Sequence, residues 1–256
     1  MTILPHLRLL WLLILLAGQA ACAQRVVHVI VALADNEHQQ GVKQWGSLGN
    51  GQDPGKNLLW GAGHGVRTYF DRAKEWERLE TKRPQVAHIL ERAVWKHRDS
   101  AVYVVADAYD GRHLLEATQD LLLYASGGGA ALIGLGGKVI SAGGDADLIV
   151  YMGHNGLMDH KVEQVYRPAQ EHDTEVMILA SLSRGFFANA LRATGARPLL
   201  WTTGVIVPEA YLLHNALQVW VAHGTDEAIR ESAAKAYDRH RSSTFAGAMR
   251  LLVTGW

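Results

Sequence analysis

Five apolar runs, each ending on polar side chains, recur along the chain with segments of helical period between them: VVHVIVALAD (26–35), AVYVVADAYDG (101–111), DLIVYMG (147–153), EVMILASLSRG (175–185) and PLLWTTGVIV (198–207). Short continuous runs of this kind, rich in aliphatic and β-branched residues and bounded by polar or glycine-containing loops, read as buried strands. Between them LLWGAGHGVRTYFDRA (58–73), HLLEATQDLLLYAS (113–126) and FFANALRATG (186–195) read as helices, the last closed by Gly195. Two further helices follow: PEAYLLHNALQVWVAHG (208–224), with Pro208 in a first-turn position, and TDEAIRESAAKAYDRHR (225–241), with Thr225 as cap before Asp226 and Glu227. KEWERLETK (74–82) reads as a charged helical stretch followed by PQVAHILERAVWKHR, and the glycine-rich segment 127–144 as a loop with room for one short extra strand.

Strands that alternate with helices predict parallel order, and hence an α/β three-layer sandwich with a mostly parallel sheet. In such sheets ligands bind beyond the carboxyl ends of the strands. Those ends carry Asp35, Asn36, Asp107, Asp110, His154, Ser181, Ser183, Thr202 and Thr203, so the polar residues are expected to converge on one rim.

Composition narrows this further. The 256 residues, 48% hydrophobic and 20% charged, suit one core, and residues 24–256 are expected to form a single domain. Basic and acidic residues balance at 25 each with no block of like charge, which argues against a nucleic-acid groove or an anionic membrane surface and for a peptide or small-molecule partner. At the start of the chain Arg8 precedes the apolar run LLWLLILL (9–16), and small residues lead to Ala21-Cys22-Ala23, the pattern of a signal peptide spanning 1–23. That run is too short for a stable transmembrane anchor, so the protein is expected in the periplasm or outside the cell. A lipoprotein anchored through Cys22 is the alternative, with Gln19 standing where such signals want an apolar residue. Cleavage after Ala23 removes the single cysteine and leaves neither disulfide nor thiol chemistry.

No cofactor signature is present. Gly61, Gly63 and Gly65 lack the G-x-G-x-x-G spacing, and Gly137-Lys138 lacks a glycine at Leu132 and a Ser or Thr at Val139. His154, Asp159, His160, His172 and Asp173 lie close together in sequence and would suit zinc, but without a fixed spacing such as H-E-x-x-H no metal site is expected. Trp60, Trp95, Trp201 and Trp220 fall in apolar segments and read as core. His154 itself, between Gly153 and Asn155-Gly156, reads either as a strand-end residue holding its own loop or as a general acid/base beside a turn whose N–H faces a developing oxyanion. Ser181, at the same end of the next strand, supplies a hydroxyl that would give the second reading a partner.

The strand running into Gly153-His154-Asn155-Gly156, then EVMILASLSRG, then LRATGARPLLWTTG, resembles the caspase-like cysteine peptidases of clan CD, most closely their separase and CHAT branches. The likeness covers residues 26–240 in strand order and 150–210 in motif detail. It implies that His154 falls on the catalytic histidine, Gly156 near the oxyanion glycine and Ser181 on the nucleophilic cysteine. Asn155 is inserted into the usual His-Gly pair, and serine replaces the thiol, whose pKa of about 8.5 makes it far more readily ionised than a hydroxyl. A serine nucleophile would need an orienting carboxylate, for which Asp159, Asp173 and Asp107 are candidates. The expectation is therefore an exported caspase-like domain that binds a peptide or small ligand at a rim formed by His154, Ser181, Gly156, Asp35, Asp107 and Thr203, with peptidase activity lost or reduced. An active serine-type hydrolase using Ser181 and His154 is the alternative, and a metal-dependent hydrolase ranks third.

Expression in a bacterial host should yield a mature protein whose first residue is Gln24, read by mass spectrometry of the N-terminal peptide. A lipidated Cys22 at that position would replace export in free form by membrane anchoring.

Overall fold

A computed structural model describes residues 24–81, 84–169, 173–241 and 243–256; the expected leader, 1–23, lies outside the described residues. In chain order the elements are β1 (Arg25–Ala32), α1 (Val66–Arg72), β2 (Trp76–Leu79), β3 (Ile89–His97), β4 (Val102–Tyr109), α2 (Leu114–Ala125), β5 (Ala130–Leu135), β6 (Lys138–Gly143), β7 (Leu148–Gly153) and α3 (Gly156–Asp159). They continue with β8 (Glu175–Leu179), α4 (Ser183–Thr194), β9 (Arg197–Thr202), α5 (Ala210–Val221), α6 (Asp226–Arg241), α7 (Phe245–Leu251) and β10 (Leu252–Val253).

Eight strands form one mixed sheet in the order β10-β9-β8-β7-β1-β4-β3-β2. The five from β9 to β4 are mutually parallel, whereas β3, β2 and β10 run antiparallel at the two edges. Every residue of β4 and β7, and all of β1 after Arg25, is buried, as a strand covered on both faces requires. One face of β1, through Val27, Val29, Val31 and Leu33, packs with α1, α5, α6 and α7; the other, through Val26, Ile30 and Ala32, packs with α2, α4 and the β5–β6 hairpin. The result is an α/β fold with a mostly parallel sheet between helices on both faces. Among the described residues no helix is long and apolar enough to cross a membrane.

The five expected strands are present and parallel, and β7 and β8, which lead to His154 and Ser181, are neighbours with Met152 opposite Leu179. The expected helix over 74–82 is instead strand β2. Trp76 is buried against Phe70 and His97, with ring centroids 5.6 and 5.0 Å away, while Glu77 and Arg78 face solvent. Ladder bonds to β3 outweigh the local helical preference of this charged stretch, because strand formation depends mainly on the neighbouring chain. Segment 127–144 holds two strands rather than one, β5 and β6, paired across Gly136-Gly137. Helix 58–73 shrinks to α1. Asn57, fully buried, spends its side chain on Ala34, Asn50 and Leu59, so the preceding residues fold as turns.

Asp107 lies inside the sheet rather than on the rim. Its carboxylate is fully buried, receives Nε and Nη2 of Arg92 at 2.6 Å each, and accepts from Nε2 of His28 at 3.1 Å. Nδ1 of His28 accepts the Gly143 amide at 2.8 Å, which leaves Nε2 to donate. Burial alone would raise the Asp107 carboxyl, but the hydrogen bonds from Arg92 and His28 outweigh it and hold the group below the ordinary range. Its contribution to stability is therefore present above the ordinary carboxylate value of about 3.9 and is lost as pH falls through the lower folded value. Replacing Arg92 strands a buried anion. Arg92→Ala should destabilise the fold by about 3–5 kcal/mol, read as a lower urea midpoint at neutral pH.

Candidate functional site

Among the parallel strands the chain runs from β1 outward to β4, then returns past β1 to β7 and continues to β8 and β9. The crevice at the reversal, between the carboxyl ends of β1 and β7, is where open α/β sheets bind ligands. A cavity of about 150 Å³ lies there, and Asp35, Gly153, His154 and Ser181 all line it.

The His154 turn is pinned from several sides. The Tyr151 hydroxyl donates to the His154 carbonyl at 2.7 Å. Asn155 is buried; its Oδ1 caps α3 by accepting from the Leu157 amide at 3.0 Å, and its Nδ2 donates to the Ser181 carbonyl at 2.8 Å. The residue inserted after the histidine is thus the bracket that ties the histidine turn to the serine turn. Nε2 of His154 lies 2.9 Å from Oδ1 of Asp159, whose side chain is 4% exposed, and Oδ2 of Asp159 accepts the Gln40 amide at 3.0 Å. Nδ1 faces Gly41, where a Cβ would come within 2.8 Å of it.

Ser181 follows β8, and Leu182, in the left-handed region at φ 54°, turns the chain into α4. A branched side chain at positive φ is strained, and the Leu182 amide is held there by the Gly204 carbonyl at 2.9 Å. The Ser181 hydroxyl accepts from the Ile206 amide at 3.2 Å and sits 3.4 Å from the Ile206 carbonyl. Among the described residues no hydrogen bond joins it to His154. The two groups share a cavity, and each is bonded elsewhere.

Asp35, at the mouth of β1, accepts the Glu37 and His38 amides, the His38 ring and Nε2 of Gln52. Burial would raise this carboxyl; the hydrogen bonds, with Gln52 foremost, bring it below its ordinary value. Gln52 also donates to Asp110, which burial raises but Arg112 and Gln52 lower to about 2.

The remaining expected residues lie elsewhere. Asp107 is in the core pair described above. Thr203 is exposed and donates to the Arg250 carbonyl at 2.7 Å, fastening α7 rather than facing the cavity. Gly156 is buried against α2: a Cβ there would meet Oγ1 of Thr118 at 2.0 Å, so packing requires the glycine, and Gly153 lines the cavity instead. Ser183 stitches β8 to β9 through Ile178 and Thr202. Among the described residues no three His, Cys, Asp or Glu side chains are placed to hold a metal, and His172 lies outside the described residues. Beyond Asn36, the loop after Asp35 was not expected at the site, yet Gln39, Gly41, Val42 and Gln44 also line the cavity; the amide-rich stretch NEHQQ at a strand end was the available signal.

Comparison of the chain with family models, curated proteins and solved structures found no match.

Gly156→Ala should destabilise the protein by about 1–3 kcal/mol through overpacking against Thr118. Thr118→Ala in the same chain should recover part of that loss in a denaturation double-mutant cycle, whereas additive losses would remove the packing explanation.

Proposed function

We propose that the chain is an exported, caspase-like α/β domain derived from a peptidase, which binds a peptide or small ligand at the rim of His154 and Ser181 with peptidase activity lost or much reduced. The observation that carries this reading is the Ser181 hydroxyl: it shares the cavity with the imidazole yet is bonded to the Ile206 backbone and not to His154. A hydroxyl attacks only as a base takes its proton, and among the described residues no base is hydrogen-bonded to this one. A thiol at the same position would make no such demand, since it ionises before it attacks. The strand order and the histidine turn accord with the resemblance to the clan CD peptidases.

One observation favours the second reading, an active serine-type hydrolase. The His154–Asp159 pair supplies the orienting carboxylate that a serine site needs, and Asp159 is nearly buried. Such a site would need both a shift of the 203–208 segment that frees the Ser181 hydroxyl and a turn of the imidazole that brings Nδ1 from Gly41 to that hydroxyl.

Alkylation tests the pairing of position 181 with His154, and fluorophosphonate labelling separates the two readings. Ser181→Cys should react with iodoacetamide on the order of tenfold faster than the exposed control Lys235→Cys, as a thiol pKa lowered by about one unit would give, and adding His154→Ala should abolish the advantage. Fluorophosphonate labelling of the wild type at Ser181, lost in His154→Ala, would instead establish the hydrolase.

A further inference from the structure

We infer that the cavity beside His154 and Ser181 takes one uncharged, apolar side chain of a peptide, no larger than a branched aliphatic group or a single benzene ring. This rests on the reading that the rim is a ligand site, and it names the class of ligand.

Size comes first. A volume of about 150 Å³ is that of an apolar cavity able to enclose benzene. A long acyl chain would leave most of its length outside, and an indole would not fit. The walls come next: Leu58, Leu59, Val207 and Pro208 supply the apolar lining.

Most polar groups of the lining are already engaged, His154 being bonded to Asp159 through Nε2 with its Nδ1 turned towards Gly41. Asp35 has four donors, as described above. Gln39 accepts the Asp35 amide and donates to the Leu33 and Gly111 carbonyls. Asn36 and Gln44 close on each other, Asn36 Nδ2 on the Gln44 carbonyl at 2.8 Å and the Gln44 amide on Asn36 Oδ1 at 2.7 Å. A charged side chain entering the cavity would lose its hydration and find its counter-groups spent, a cost with nothing to offset it. An apolar side chain displaces only water.

The mouth of the cavity points the same way. Val42 and Val205, both lining residues, are 79% and 68% exposed, and Trp45, one residue beyond the lining residue Gln44, is 91% exposed. Val42 and Trp45 belong to a loop fixed at two points, by the Asn36–Gln44 pair and by the Gln40 amide on Asp159. Apolar side chains held in water around one opening offer contact to the residues that flank the buried one in an extended peptide.

The test is a 1H–15N NMR titration of the protein with N-acetyl methylamides of leucine, aspartate and lysine, and with octanoic acid. The leucine probe should shift the amides of Gly153, Ser181 and Val205 progressively, with the aspartate and lysine probes at least about tenfold weaker at the same amides. Val42→Asp and Val205→Asp, at exposed positions that leave the fold intact, should each weaken the leucine probe several-fold. Equal or tighter binding of a charged probe at those amides would overturn the apolar class and leave the rim as a ligand site. Tighter binding of octanoic acid would overturn it in favour of an acyl chain. If none of the probes moves those amides, both the ligand class and the site itself fall.

Discussion

A strand covered on both faces admits a polar side chain along its length only where that side chain brings its own partners, as Asp107 and His28 do, and otherwise places polar residues at its ends; this constraint organises the molecule. β1, β4 and β7 lie side by side and are buried almost end to end, so their side chains pack helices above and below the sheet. Because the three strands are parallel, the first polar residues after them emerge on the same edge. Asp35, Asp110, His154 and Ser181 are all drawn to that edge by the hydrophobic interior behind them. The chain reverses direction across the sheet between β1 and β7, which leaves the crevice where three of these residues meet.

This explains which parts of the fold could be read from the chain. Buried parallel strands are continuous apolar runs, and the five that form the middle of the sheet stand out as such. The edge strands do not. β2 and β3 carry Glu77, Arg78, Glu91, Arg92 and Lys96, charges that pair or point to solvent, and their pattern becomes a strand only when β4 supplies the ladder. The helix after β8 begins at Ser183, earlier than the apolar period suggests, because the left-handed turn at Leu182 redirects the chain there and the Ser183 hydroxyl ties that first residue back to the Ile178 carbonyl.

The site was legible in the same uneven way. Asp35, His154 and Ser181 follow strand ends directly, and spatial convergence follows from parallel order alone. Asp107 has the same sequence context, but its partner Arg92 lies on an antiparallel neighbour that local pattern does not reveal, and the pair turns it inward. Gly156 reads as a flexible turn residue, yet the helix it abuts comes from some forty positions earlier in the chain, and the contact with Thr118 is invisible until the layers are assembled. Asn155 is the reverse case: a residue that looks like an interruption becomes the link between two turns that the sheet has brought side by side.

Asp159 divides its two oxygens between different parts of the molecule, one on the His154 ring and the other on the Gln40 amide. The orientation of the imidazole and the position of the 36–44 loop are therefore two ends of one lever with a carboxylate as its pivot. Loop and ring thus share one restraint: a substitution that removes the Asp159 carboxylate takes a hydrogen bond from both at once, so the two cannot be loosened separately at that residue.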